Sequence, residues 1–295
     1  KDILFLNSHS YPVCMNWLKK LFLHKKKNTV IAPTASYESM VDSVKLKNKY
    51  RISYLSATPF PHLIINDICN EDKLYKMYDE IPILENKSRD YMFAKNKYEK
   101  SNYSELGPLF NELQKDLMSE KMNSFLSYIS SKDVFVDPKN HGGGLHQGRK
   151  NSFLDMHLDY NYHPINKNWW REMNLLLYLN KDWKNEYGGH LDLEDLRTGS
   201  KKKCDVPFNT LIIQQCEDYT LHGYQPTNFP DGIFRTSIAT YAFTNHIKQI
   251  HEPRTTDWFP NKSGDGKLKK FIGRNFKSLV KIKNNFFGSG TSKNQ

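Results

Sequence analysis

The stretch that decides the fold is Phe153-Leu154-Asp155-Met156-His157-Leu158-Asp159, which reads as a strand ending in a His-x-Asp motif. Its alternating large apolar residues predict a strand over Phe153–Leu158. Together with a second histidine, the imidazole of His157 and the carboxylate of Asp159 can occupy one face of an octahedral ferrous ion and leave three positions open. We therefore predict a metal site at the end of this strand.

Two further residues follow in the order that such a site requires. His222 lies in Leu221-His222-Gly223, and Arg235 lies in Phe234-Arg235-Thr236-Ser237. An arginine offers two parallel N–H groups, which can bind the distal carboxylate of a chelated dicarboxylate such as 2-oxoglutarate. A lone His-x-Asp motif is weak evidence, but four elements in this order on strand-like segments are much stronger.

Composition limits the class of protein. With 295 residues, 38% of them hydrophobic and 13% aromatic, the chain can bury a sizeable core. No apolar run reaches the roughly 18 residues of a membrane span, and no secretory signal is recognisable. The four cysteines are scattered, which favours a reducing compartment over a disulfide framework. We expect a cytoplasmic protein. The first residue is Lys1, so we also expect a trimmed form or part of a longer polypeptide.

The chain divides into three predicted regions. Residues 1–57 alternate strand-like and helix-like segments and form an N-terminal α/β-like extension of unknown role. Residues 58–250 form the domain that carries the metal motif, and residues 251–295 form a basic amphipathic helix and tail. Within the domain, Pro108 and an apolar stripe at helical spacing predict one helix over residues 108–130, packed against a sheet.

From residue 153 to 244 the pattern is one of short strands separated by turns such as Gly188-Gly189. Many short strands with few helices indicate a β-sandwich or jelly roll. The predicted fold class is mainly β with flanking helices (α+β), with a double-stranded β-helix (jelly roll) core. The predicted metal residues fall at strand ends, where rigid elements position the chemistry.

The net charge of +11 leaves several partners open, because it could serve nucleic acid, anionic lipid or an acidic substrate, or simply reflect a lysine-rich composition. Apolar residues recur every three or four positions after residue 266, among many lysines. Such a basic amphipathic helix either lies on a membrane surface or caps the domain with its apolar face. Nucleic acid is disfavoured, since no aromatic and basic cluster is placed to capture a base.

Residues 58–245 resemble the Fe(II)/2-oxoglutarate-dependent dioxygenases of the prolyl 4-hydroxylase type. Beyond the metal motif, the likeness rests on the stretch from Arg171 to Trp183, which contains Tyr-Leu-Asn-Lys-Asp-Trp, and on the Gly188-Gly189 turn that follows it. The stretch Gly142-Gly143-Gly144-Leu145-His146-Gln147 is similar to a bacterial and viral branch of the superfamily. The resemblance is specific for fold and cofactor, and it says little about substrate.

The resemblance implies roles for six residues, and the alternation of side chains along a strand adds a seventh. His157, Asp159 and His222 would be the iron ligands, and Arg235 would bind the distal carboxylate of 2-oxoglutarate. Tyr178 matches a tyrosine that helps bind this carboxylate, Gln147 stands where the prolyl hydroxylases have a tyrosine that contacts the cosubstrate, and Ser237 shares the strand face of Arg235 and adds a hydroxyl. The implied cofactors are Fe(II), 2-oxoglutarate and O2, with ascorbate as an optional addition.

Three nearby residues have competing interpretations. His163 follows the motif strand and is predicted to be a loop histidine outside the metal site. His190 follows the Gly-Gly turn and either faces the substrate or is an ordinary polar residue. Asp155 shares a strand face with His157 and either orients a ligand or is a solvent-exposed carboxylate.

These observations predict an oxygenase that hydroxylates a C–H bond and releases succinate and CO2. The favoured interpretation is a prolyl-hydroxylase-like enzyme acting on a peptide or protein side chain. The alternatives are a hydroxylase of a small molecule, free amino acid or glycan, or a non-catalytic jelly-roll binding module. The complete set of metal residues and Arg235 disfavours the last, because a degenerate domain has no need of all four.

Overall fold

A computed structural model of the chain describes residues 39–42, 49–85, 92–248 and 251–260. The described part of the chain contains four α-helices and eleven strands, as well as two short 3-10 turns. The helices are α1 Tyr50–Leu55, α2 Glu71–Asp79, α3 Pro108–Leu117 and α4 Glu120–Ser130. The strands are β1 His62–Asn66, β2 Ala94–Lys100, β3 Phe135–Val136, β4 Gly144–Leu158, β5 Trp169–Tyr178, β6 Leu191–Asp195, β7 Lys201–Cys204, β8 Thr210–Gln215, β9 Thr220–Tyr224, β10 Arg235–Asn245 and β11 Asp257–Phe259.

The strands form one curled antiparallel sheet in the order β1-β8-β5-β10-β4-β9-β6-β7, with β2 and β11 also paired to β4 and β3 paired to β10. Strand β4 belongs to both halves of the curl. Its first part, from Gly144, pairs with β10 and β2, and its last part, up to Leu158, pairs with β9 and β11. The predicted mainly β fold with a double-stranded β-helix core is confirmed.

Irregular pairing along β4 explains the curl. The register of β4 against β9 shifts between Leu154 and His157, and the register of β2 against β4 shifts between Lys95 and Lys97. A register shift of this kind is typical of a β-bulge, in which an extra residue on one strand bends and twists it. The bulge also changes the direction of the side chains that follow. The bend carries His157 towards the concave side of the curl.

Helices α3 and α4 pack against the part of the sheet that contains β5 and β10. The main core combines apolar residues of α3 and α4, such as Leu113 and Phe125, with those of β5 and β10, such as Leu175 and Ile238. The predicted single helix over residues 108–130 is wrong in one respect. Two helices replace it, because Ser119 begins α4 with its hydroxyl oxygen accepting a hydrogen bond from the Met122 N–H.

The predicted limits of the domain, at residues 58 and 250, stay predictions. Described residues on both sides of these limits contribute to the same core and sheet: Tyr54 of α1 is buried in the main core, and Trp258 of β11 pairs with His157. The extension over residues 1–38 and the amphipathic tail from residue 266 lie outside the described residues. Among the described helices, none is long and apolar enough to cross a membrane.

Candidate active site

The predicted metal residues meet on the concave side of the sheet, where β4 and β9 run side by side. His157 and His222 are direct partners in the register of these strands, and their ring centroids are 4.2 Å apart. Asp159 directly follows β4; its Oδ1 lies 3.7 Å from His157 Nε2 and its Oδ2 lies 3.4 Å from His222 Nε2. One ligand atom from each of the three lies within 4.8 Å of the others. We call these three residues the facial cluster.

The hydrogen bonds of His157 prepare this ring to bind a metal. Its Nδ1 lies 2.9 Å from the carbonyl oxygen of Asp155, which can only accept, so Nδ1 carries the proton. Nε2, which faces Asp159, therefore keeps a free lone pair. A backbone carbonyl that fixes the tautomer in this way is the usual support of a metal-binding histidine. Of Asp155, then, the structure uses the main-chain oxygen for this orientation.

Charge and burial keep the facial cluster in the protonation state that a divalent cation requires. Burial lowers the pKa of His222 to about 3, and burial likewise lowers the pKa of His157, so both rings are neutral. Burial raises the pKa of the Asp159 carboxyl, but the Arg171 guanidinium and the hydrogen bond from Asn174 outweigh burial and hold that pKa well below its usual range. Two neutral imidazoles and one carboxylate thus lie together, a donor set that suits ferrous iron.

Two side chains of β5 bind the carboxylate of Asp159. Arg171 Nη2 lies 3.1 Å from Asp159 Oδ2, and Asn174 Nδ2 donates a 2.7 Å hydrogen bond to the same oxygen. Asn174 Oδ1 in turn accepts from Arg171 Nε and from the Cys216 thiol. These contacts fix the carboxylate and engage Oδ2.

The described residues contain a second group of the same composition, formed by Asp137, His141 and His163, which we call the loop cluster. In this cluster the Asp137 carboxylate accepts hydrogen bonds from the backbone of its own turn. Its Oδ1 accepts from the N–H of Lys139, and its Oδ2 accepts from the N–H of His141. Oδ2 also lies 2.8 Å from His141 Nδ1. His163 lies in the loop between β4 and β5, as predicted, and it is fully buried there.

The tautomer of His163 is the opposite of that of His157. Its Nδ1 accepts hydrogen bonds from the backbone N–H groups of Ile165 and Asn166, so the neutral ring carries its proton on Nε2. That proton points to Asp137 Oδ2 at 3.3 Å. A metal on Nε2 would have to displace it. Both carboxylate oxygens of Asp137 and the Nε2 of His163 are therefore already used in hydrogen bonds, so the loop cluster fits a metal poorly.

Arg235 begins β10 and is buried against aromatic rings. Its guanidinium carbon lies 4.0 Å from the Tyr224 ring centroid, its Nε donates to the carbonyl of Gly189, and its Nη2 lies 3.4 Å from the Tyr178 hydroxyl. Gly189 has a φ of +70°, and a Cβ there would lie 3.0 Å from Arg235 Cδ. The Gly188-Gly189 turn is thus needed both for its backbone conformation and for the room it leaves to the arginine.

A cavity of about 370 Å³ joins these groups. Its wall contains all three residues of the facial cluster together with Arg235, Tyr178 and Ser237. The structure therefore brings together six of the seven predicted site residues.

Gln147 lies elsewhere. Its amide oxygen accepts from the N–H of Leu84 and its amide nitrogen donates to the carbonyl of Pro82, so both ends are bonded to backbone. Its neighbour on β4, His146, lines the cavity instead, opposite Ser237. Successive residues of a strand face opposite sides, so an assignment one position away moves a side chain out of the site. His190 is not among the residues that line this cavity, and it contacts Asn185.

The structure adds two groups to the site that were not predicted from the sequence. The first is Arg171 with Asn174. A charged side chain inside the apolar strand Trp169–Tyr178 was the available signal, because a buried arginine needs a partner. The second is Trp258 of β11, whose ring lies 4.9 Å from the His157 ring and also lines the cavity. Its strand is only three residues long, and no periodicity identifies it.

Comparison with known proteins agrees with this arrangement. The family model "2OG-Fe(II) oxygenase superfamily" matches residues 143–243, which include the facial cluster and Arg235. No curated protein matches the chain by sequence.

Several solved structures share part of the architecture. A prolyl hydroxylase from Trichoplax adhaerens, in complex with a hypoxia inducible factor peptide fragment, is 15% identical, with 66% of this chain and 88% of that chain covered and a TM-score of 0.46. A prolyl-4-hydroxylase from Pseudomonas putida is 13% identical, with coverages of 68% and 100% and a TM-score of 0.47. HygX from Streptomyces hygroscopicus, with nickel and 2-oxoglutarate bound, is 11% identical, with coverages of 66% and 86% and a TM-score of 0.47.

The family comparison therefore rests on the family model alone. Residues 143–243 match the model of the 2OG-Fe(II) oxygenase superfamily, and this segment is similar to iron(II)- and 2-oxoglutarate-dependent dioxygenases.

Proposed function

We propose that the facial cluster binds Fe(II) and that the protein hydroxylates a C–H bond of a peptide or protein side chain. The observation that carries the proposal is the state of the cluster: His157 presents an unprotonated Nε2 beside the ionised Asp159 and the neutral His222. Asp159 Oδ2 is engaged by Arg171 and Asn174, so Oδ1 is the oxygen that we assign to the metal. Such an arrangement has no evident purpose in a non-catalytic binding module.

For the cosubstrate, we assign Arg235 and Tyr178 to the distal carboxylate of 2-oxoglutarate. The guanidinium is fixed by Gly189 and by the Tyr224 ring, so little conformational freedom is lost when a carboxylate binds. Ser237 lines the same cavity and is assigned a hydroxyl contact.

When bound, iron and 2-oxoglutarate activate O2, release succinate and CO2, and deliver a hydroxyl to the substrate. The chain's own residues supply position and protection. Trp258 stacks on His157 and on Phe93, and the backbone oxygen of Asp159 accepts two hydrogen bonds from Arg254. These contacts hold the ligand strand in place and cover it from water, as the protein does in cofactor enzymes generally. Ascorbate is proposed only as an optional reductant.

The test is succinate formation together with mass spectrometry of products. Iron-loaded enzyme supplied with 2-oxoglutarate and candidate peptides should form succinate and a product heavier by one oxygen atom. An Asp159→Ala enzyme prepared in parallel should form neither. Hydroxylation of sugars, free amino acids or other small molecules, with none of peptides, would favour the alternative substrate class. Wild-type enzyme that binds no iron and forms no succinate would remove the proposal.

A further inference from the structure

The second arginine of the cavity, Arg171, is held in a way that leaves one edge of its guanidinium unused. Arg171 is 1% exposed, and its guanidinium carbon lies 3.5 Å from the ring centroid of Tyr241 and 4.4 Å from that of Tyr160. The two rings are nearly perpendicular to each other, at 89°, and both pack against the guanidinium. A hydrogen-bond acceptor binds at the edge of the guanidinium, where the N–H groups lie.

Only some of the N–H groups of the Arg171 guanidinium have hydrogen-bond partners. Nε and Nη2 donate to Asn174 Oδ1 at 2.9 and 2.6 Å, and Nη2 also lies 3.1 Å from Asp159 Oδ2. Nη1 is buried and has no hydrogen-bond partner among the described residues, and the same is true of the Tyr160 hydroxyl. Both side chains belong to the cavity wall. A buried charged donor without an acceptor is costly, so an unpaired Nη1 suits a ligand.

The charge of the cavity indicates what kind of ligand. The charged side chains on its described wall are the cations Lys97, Arg171 and Arg235 and the anions Glu99 and Asp159. Lys97 and Glu99 form an ion pair of 2.5 Å. In the proposed function, a ferrous dication and a 2-oxoglutarate dianion cancel each other, which leaves one cation in excess. Since Asp159 would share its charge with the metal, that excess lies at Arg171.

We propose that Arg171 Nη1 and the Tyr160 hydroxyl bind a carboxylate of the substrate, so that the enzyme selects substrates with a negative charge close to the hydroxylated carbon. This inference rests on the proposed function and names its substrate class. A guanidinium N–H and a hydroxyl are both donors to a carboxylate, and the guanidinium carries the opposite charge. The carboxylate comes either from the end of a chain or from an acidic side chain.

The experiment compares three libraries of N-acetylated tripeptides on protein loaded with Zn(II) and N-oxalylglycine, an inert pair that does not turn over. The first library has free C-terminal carboxylates and no acidic side chains. The second has C-terminal amides with one Asp or Glu, and the third has C-terminal amides with no acidic residue. Retention is measured by ultrafiltration and mass spectrometry. We expect members of the first or the second library to be retained at least tenfold better than their neutral counterparts, and the better of the two identifies the source of the carboxylate.

Two variants test whether Arg171 is responsible. Arg171→Gln should reduce the preference for carboxylates to about onefold, with Zn(II) content measured in the same sample because Arg171 also contacts Asp159. If that variant loses its metal, Tyr160→Phe decides the matter, since it deletes only the unpaired hydroxyl; we expect severalfold lower preference with full metal content.

Equal retention of the neutral library, or an unchanged preference in Tyr160→Phe and in a metal-loaded Arg171→Gln, would overturn the inference. Such results would leave the proposed function standing, because Zn(II) and N-oxalylglycine would still be bound. A wild-type protein that binds neither would overturn both.

Discussion

The facial cluster and the loop cluster contain the same residue types, two histidines and one aspartate, at similar distances, yet only one of them is prepared for a metal. In the facial cluster a backbone carbonyl accepts a hydrogen bond from Nδ1–H of His157, so the proton stays on Nδ1 and Nε2 is unprotonated. In the loop cluster two backbone N–H groups donate to Nδ1 of His163 and force the proton onto Nε2. The hydrogen bonds behind a ring, and not the spacing of donor atoms, separate a metal site from a structural network.

The largest expected effect is on metal binding, and it distinguishes the two clusters. His157→Ala and His222→Ala should each weaken Fe(II) binding by more than about 100-fold, because even loss of a residue behind a metal ligand costs about 10- to 100-fold. His163→Ala is the matched control and should still bind one metal ion per chain. Metal content after dialysis against a chelator buffer measures this. If His163→Ala lost the metal and His157→Ala kept it, the loop cluster and not the facial cluster would be the metal site.

The second largest expected effect is on 2-oxoglutarate binding by Arg235, and it tests whether the cosubstrate binds in the cavity beside the facial cluster. Arg235→Ala leaves a buried dianion poorly paired, which costs about 3–5 kcal/mol and weakens 2-oxoglutarate binding about 100- to several thousand-fold. Arg235→Lys should recover only part of the affinity, because an ammonium cannot make two parallel bonds.

Anaerobic titration of the iron-loaded protein with 2-oxoglutarate measures this affinity. Iron binding should be unchanged in both variants and serves as the control. Unchanged affinity in Arg235→Ala would mean that another cation of the cavity wall binds the distal carboxylate.

The smallest effect is on stability, where the loop cluster should matter. His163→Ala removes the acceptor of two backbone N–H groups and the donor to Asp137. Since a hydrogen bond contributes a net of about 0.5–1.5 kcal/mol, loss of these three should lower the free energy of unfolding by about 1.5–4.5 kcal/mol. Urea unfolding of the metal-free protein measures it. A variant as stable as the wild type would show that the loop cluster is not a structural network.

The fold and most site residues were predictable from sequence patterns, whereas side-chain directions near irregular strand pairing were not. Alternating apolar residues and turns predicted the jelly roll, and the order of His157, Asp159, His222 and Arg235 predicted which side chains share the cavity. The resemblance to the prolyl hydroxylases placed Gln147 in the site, but the irregular pairing of β4 turns this side chain away from the cavity. A bulge leaves no local signal that spacing alone can detect.

The same limit applies to contacts that come from distant parts of the chain. The stacking of Trp258 on His157 arises from a three-residue strand, and the ion pair of Arg171 with Asp159 arises from the pairing order of the sheet. The tautomers of His157 and His163 depend on backbone groups that face each ring. None of these can be deduced from residue types, because they need the positions of backbone atoms in the folded chain.

We propose that the metal binds at the facial cluster and not at the loop cluster. Anomalous X-ray scattering from crystals grown with Zn(II) and N-oxalylglycine would locate the metal. We predict one strong anomalous peak per chain, about 2.0–2.2 Å from His157 Nε2, Asp159 Oδ1 and His222 Nε2. A peak between Asp137, His141 and His163, or no peak at His157, would contradict the account.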